Sequence, residues 1–142
     1  MDTRMRGWQT SNGQLLVTAR SLAAKTFRQA DIPAIRGFAA AFAARAGMRT
    51  TQRTDFALAV SEAAACATSR GPCTARLWLW TAGSRTLCEI SGDGVLLGPG
   101  PGGAGHGDVE ALRRWLLRQL CDYVHIESDA QGVTVRFSMT VA

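Results

Sequence analysis

Lysine is almost missing from this chain. Lys25 is the only one, so nearly all of the basic charge is arginine. Asparagine also occurs once, at Asn12, far in sequence from every helix discussed below. Long apolar runs are lacking too. None approaches the roughly 20 residues that a membrane-spanning helix needs. The N-terminal Met-Asp-Thr-Arg-Met-Arg-Gly-Trp has charge but no apolar stretch before a cleavage site, so a signal peptide is not expected and the cytoplasm is the expected compartment. The four cysteines, Cys66, Cys73, Cys88 and Cys121, form no C-x-x-C pair, and His106 and His125 are not spaced with them. A zinc site is therefore not expected, and the thiols read as small core residues in a reducing compartment. The net charge of +5 raises nucleic acid as a partner. The arginines are scattered, however, and the closest cluster, Arg113, Arg114 and Arg118, falls on one face of a late helix with no aromatic ladder beside it. That pattern favours a solvated or protein-binding face, and no nucleic-acid partner is assigned.

What is present is enough apolar material for one core. At 142 residues, 46% hydrophobic and 19% charged, the chain is expected to fold as a single domain over 1–142, with 1–13 as a loose lead-in and 91–107 as a Gly/Pro-rich lid loop. The stretch Asp55 to Gly71 organises it. Phe56, Val60, Ala63 and Ala67 recur at helical spacing, and Glu62 and Cys66 lie one turn apart on another face. A carboxylate in a run of alanine and valine costs desolvation unless something uses it.

The remaining segments follow from periodicity. Leu15 to Arg20 and Leu22 to Arg28 have strand-like composition. Asp31 is expected to cap a helix with Pro33 in its first turn, carrying Ile35, Phe38, Ala39, Phe42 and Ala46 and stopping at Gly47, while Thr50 and Thr51 are expected to cap the next. Thr74 to Thr81 alternates, with Ala75, Leu77 and Leu79 against Arg76, Trp78 and Trp80, and Arg85 to Ile90 returns as its hairpin partner. Gly98 to Gly107 is too rich in glycine and proline for regular structure. Asp108 to Cys121 predicts a third helix with Val109, Leu112, Leu116 and Leu120 inward, followed by strands Tyr123 to Glu127 and Val133 to Val141. The order predicts an α/β (α+β) two-layer sandwich: a mixed, mostly antiparallel sheet with helices on one face.

Three patches resemble a known family, the anti-sigma-factor serine kinases of the GHKL (histidine-kinase-like) ATPase superfamily. Asp55 to Ala67 resembles the family's N-box helix. Leu116-Leu-Arg-Gln-Leu-Cys-Asp-Tyr-Val124 and Gly132-Val-Thr-Val-Arg136 resemble its later helix end and its closing strand. The resemblance implies the GHKL fold, ATP-Mg binding under a lid, and a glutamate that takes a proton from a serine hydroxyl on a partner protein. Carried over residue by residue, Glu62 is the general base, and Cys66 stands where an asparagine would hold Mg²⁺. Gly92 stands where an aspartate would meet adenine. Asp93 and Gly94 are the local remnants of that loop, and Gly105 and Gly107 replace the phosphate glycines only if the third helix is longer than its apolar pattern.

With those losses, the expectation is a regulatory protein that acts by binding a sigma factor or a STAS-domain anti-sigma antagonist, with homodimerisation as in the family and no cofactor. The alternative is an active ATP-dependent serine kinase using ATP and Mg²⁺. A partner interface is expected at Arg76, Trp78 and Trp80, sent outward on the open sheet face. Two other arrangements compete with it: Trp8 and its neighbours folding over that face, or a reversed register with the tryptophans in the core.

Overall fold

The computed structural model describes residues 19–94 and 104–141. Five strands and three α-helices are described in these ranges: β1 Ala19–Arg28, α1 Ile32–Arg45, α2 Thr50–Ala67, β2 Thr74–Ala82, β3 Arg85–Gly92, α3 Ala104–Leu120, β4 Tyr123–Asp129 and β5 Gly132–Thr140. The strands stand in the order β1-β2-β3-β5-β4, and every pairing is antiparallel. The expected mixed sheet is corrected on this point, and the reason lies in the connections. α1 and α2 go out and back, so Thr74 starts β2 beside Arg28, where β1 ended. The single helix α3 does carry the chain from β3 to a strand of the same direction, but β5 slots between β3 and β4 and separates them.

The three helices share one core with one face of the sheet. Phe56, Val60, Ala63 and Ala67 of α2 are buried in it with Ile35, Ala39 and Phe42 of α1 and Leu117 of α3. The sheet contributes Ala75, Leu77, Leu79, Cys88, Ile90, Val135 and Phe137, alternate residues that a strand presents on one side. Phe56 and Phe137 meet edge to face at 5.7 Å between ring centroids. The predicted register of β2 is the observed one.

Helix ends differ from their predicted form. Asp31 precedes α1 and Pro33 lies in its first turn, but the Asp31 carboxylate accepts from the Arg28 backbone N–H at 3.0 Å and holds the single 3₁₀ turn Gln29–Asp31 instead. Thr50 begins α2 rather than capping it, and the preceding residue is Arg49. Gly47 and Gly71, after α1 and α2, take φ of 91° and 88°, where glycine avoids the strain of a side chain.

Helix α3 begins at Ala104, so Gly105, His106 and Gly107 are helical and not loop, a correction to the expected 91–107 lid. Residues 91 and 92 complete β3. Asp93 and Gly94 follow it without regular structure, and 95–103 lies outside the described residues, as do the expected lead-in 1–13, Asn12 and Trp8. The predicted inward stripe of α3 is also corrected. Among the described side chains of α3 Leu117 is the fully buried one, whereas Val109 and Leu112 are exposed and Leu116 and Leu120 half-buried. The two leucine stripes differ by about 100° of helix rotation, and a pattern rich in leucine on both does not choose between them.

Candidate functional site

Glu62 and Cys66 face α3. Glu62 lies 3.3 Å from Arg113 Nε, and Arg113 also approaches Glu110 at 3.8 Å. The side chains of the Glu62 pair are 24 and 30% exposed, so water screens it, and it contributes on the order of 0.2–1 kcal/mol. Its consequence is positional. A guanidinium occupies the carboxylate that would act as base. Cys66 is enclosed, and burial pushes its thiol up to about 12. Glu110 and Glu62 add to that rise, and Arg113 and Arg114 work against it. At neutral pH Cys66 is a protonated, uncharged thiol, the wrong donor for a hard cation that takes oxygen ligands. Among the described residues no group of three His, Cys, Asp or Glu side chains converges to hold a metal ion.

The adenine side of the expected site is closed by backbone. At Gly92 a Cβ would fall 1.8 Å from the Ala67 carbonyl oxygen, because the end of β3 runs directly under the end of α2. No side chain fits at 92, and an aspartate cannot be restored there without parting the two elements. Asp93 does not take its place. Its carboxylate accepts from the Thr74 N–H at 2.9 Å while its own N–H donates to the Thr74 carbonyl at 3.2 Å, a two-way clasp between the start of β2 and the end of β3. Gly94 is crowded as well, with Arg70 Cβ 3.0 Å from its missing side chain. Arg70 reaches across to the Ser128 hydroxyl and the Asp129 carbonyl, tying the turn after α2 to β4. Beside Asp93 a groove of about 300 Å³ opens, lined by Asp93, Glu127 and Asp129 among others. Three carboxylates make it a poor seat for phosphate. Gly105 and Gly107 lie in the first turns of α3, which is the longer helix that their expected role required.

The residues present therefore do not fit ATP-Mg as the resemblance places it. Glu62 and Cys66 come together with α3, Asp93 and Gly94 serve the strand ends, and position 92 is filled by packing.

The outer sheet face holds a different constellation. Trp78, Glu89, Arg136 and His125 are register partners in one row across β2, β3, β5 and β4. Arg136 Nε donates to Glu89 at 2.6 Å, with Glu89 fully buried. Arg136 also approaches Glu127 at 3.7 Å, and His125 lies 2.9 Å from the same carboxylate. The His125 hydrogen bond, with Arg136, holds the Glu127 carboxyl below its usual range. Trp80 corrects the expected interface. It points to this outer face as predicted but is completely buried, as is Leu87 opposite it. Trp78 is half-buried and only Arg76 is exposed, so the two tryptophans do not form an open apolar patch. The Glu89–Arg136 pair escaped the sequence reading. Its one signal was a glutamate at an outward position in the middle of a strand, between the apolar Leu87, Cys88 and Ile90.

The fold and these contacts define a mixed α/β protein with a five-stranded antiparallel sheet. No known protein family and no curated protein matches the chain.

Proposed function

We propose that this chain is a regulatory binding protein built on the GHKL fold, resembling the anti-sigma serine kinases, that works without nucleotide chemistry. Its partner is a sigma factor or a STAS-type antagonist, as the resemblance in Asp55 to Ala67, Leu116 to Val124 and Gly132 to Arg136 implies. The observation that carries the loss of catalysis is the packing of Gly92 against the Ala67 carbonyl, which fills the adenine position with backbone. The engagement of Glu62 by Arg113 and the protonated thiol at Cys66 agree with it. Losing two buried hydrogen-bonding partners costs about 1–3 kcal/mol each, or roughly 10²-fold or more in affinity.

Calorimetry with ATP and Mg²⁺ on the purified chain tests the reading. The expected result is no heat of binding at micromolar nucleotide, together with binding of a sigma factor or STAS protein that is indifferent to nucleotide. Micromolar ATP-Mg affinity would instead favour the kinase.

A further inference from the structure

Strand β1 stands at one edge of the sheet, and among the described residues only β2 pairs with it. Its ten residues, Ala19–Arg28, include no proline, glycine or carboxylate. Leu22, Ala24, Lys25, Thr26 and Arg28 are exposed, so the later part of the strand is open to solvent. Such an edge carries a row of unmatched amide and carbonyl groups, a ready template for another strand.

The side chains select what can join it. Ala24 and Thr26 stand opposite Trp78 and Arg76 and point with them to the outer face. A groove of about 210 Å³ lies over these small residues, with Trp78 and Arg76 as its wall. Arg28 continues the outward row, and both it and Arg76 are exposed. On the inner side Lys25 lies 5.3 Å from the ring centre of half-buried Phe38. Among the described residues none of Lys25, Arg28 and Arg76 is in an ion pair. From residue 19 to residue 54 Asp31 is the sole carboxylate, and the Arg28 backbone N–H already donates to it. This margin of the sandwich is therefore cationic.

The same features turn away a second copy of the chain. Its β1 laid alongside would set cations against cations, with no carboxylate in either strand. Lysine and a register irregularity, here between Arg20 and Ala23, are devices that keep an edge from joining its own kind. The opposite edge strand, β4, does carry acid, but its carboxylates are in use. Glu127 is held by His125 and Arg136, and Asp129 accepts from the N–H groups of Gln131 and Gly132. A strand that brings free carboxylates meets neither obstacle.

We propose that the open edge of β1 takes an extended acidic segment of a partner protein as a sixth strand. Main-chain hydrogen bonds hold it, and alternate side chains give the choice of sequence. Its outward glutamates lay their stems over Ala24 and Thr26 and bring their carboxylates to Arg76 and Arg28. Its inward apolar side chains pack beside Phe38 and Lys25. This deepens the binding reading above and rests on it only in taking the chain as a protein that works by association.

The test titrates the full chain into a labelled synthetic peptide of roughly ten residues, about 33 Å when extended, with glutamate and valine in alternation. Anisotropy follows binding, and amide shifts of the isotope-labelled chain locate it. Two peptides serve as controls. One has lysine in place of glutamate. The other keeps its glutamates but has its backbone nitrogens methylated, so it retains the charge and cannot complete a ladder. Saturable binding of the unmethylated glutamate peptide alone is expected, with the amide shifts concentrated at Leu22 to Arg28. Arg28→Glu with Arg76→Glu should weaken it roughly tenfold or more while melting as wild type does. Should that variant unfold, the methylated control and the shifts of the wild-type chain still decide. No saturable binding, equal binding of either control, shifts centred away from β1, or wild-type affinity in the folded variant would overturn the proposal. So would an oligomer of the chain, seen by sedimentation, that the glutamate peptide takes apart. A sigma factor or STAS protein bound equally by wild type and variant would remove this edge and leave the binding reading standing. If no such protein binds while the glutamate peptide does, the named partner class fails and the edge stands.

Discussion

Replacing Gly92 by alanine tests the closure of the expected nucleotide site. The added Cβ lies 1.8 Å from the Ala67 carbonyl oxygen and 2.8 Å from the carbonyl carbon, where real Cβ atoms stay beyond 3.0 Å. Relief requires α2 and β3 to part by about 1.2 Å at that point. Neither side yields easily. The end of α2 is held by the Thr68 N–H and hydroxyl, both donating to the Ala64 carbonyl, and Gly92 is paired with Ala75 and Val133. Gly132 crowds it from the other side, its own missing Cβ lying 2.0 Å from the Gly92 oxygen. The cost therefore sits at the top of the range for overpacking, about 3 kcal/mol or more. With a urea slope of about 1.5–2 kcal/mol/M, the unfolding midpoint falls by ~1.5–2 M. Gly92→Asp should cost more, since it adds a carboxylate to a closed contact. Gly37→Ala is the control. It lies inside α1 with nothing within 4 Å of its missing Cβ, so the same chemical change should stabilise by about 0.5–1 kcal/mol. Urea unfolding followed by circular dichroism reads both. An unchanged midpoint for Gly92→Ala would refute the close approach and reopen the adenine position.

Arg136→Met should destabilise by about 3–5 kcal/mol in the same assay, because it strips the guanidinium from fully buried Glu89. Adding Glu89→Leu should recover most of the loss, since a removed charge no longer needs a partner. The thiols give a pH prediction. Burial raises Cys66 and Cys121 from 9.0 to about 12, so folding favours their protonated forms. The stability this provides is complete below pH 9 and is lost as pH climbs toward 12, and native Cys66 should resist alkylation at pH 8 until denaturant is added, which mass spectrometry of the labelled protein would show.

Strands β2, β3 and β5 and the two core helices were legible because their patterns had one solution, whereas the expected break between Leu15–Arg20 and Leu22–Arg28 is not there, β1 running unbroken over Ala19–Arg28. The alternation of Ala75, Leu77 and Leu79, and of Val133, Val135 and Phe137, set the inner face without reference to any neighbour. Helix α3 was not legible in the same way. Leu112, Leu116, Leu117 and Leu120 offer competing stripes, and only the place of α2 and β4 beside it selects Leu117. Trp80 failed for another reason. Alternation assigns a side chain to a face and says nothing about whether that face is covered. At the site, Glu62 and Cys66 were found from spacing, but the meeting of Gly92 with Ala67 depends on where two elements 25 positions apart come to lie, which no local pattern encodes.

The position of β5 has a consequence for how the sheet is made. It is the last of the described strands in sequence, yet it lies inside the sheet between β3 and β4. A chain growing from its N-terminal end completes β3 roughly fifty residues before β5 is finished, an interval of about 2–10 s at ordinary rates of synthesis. During that interval the edge of β3 bears unmatched amide and carbonyl groups, and Glu89 waits for an arginine that has not been made. Nascent chains of this protein should therefore be most prone to joining one another edge to edge at that stage.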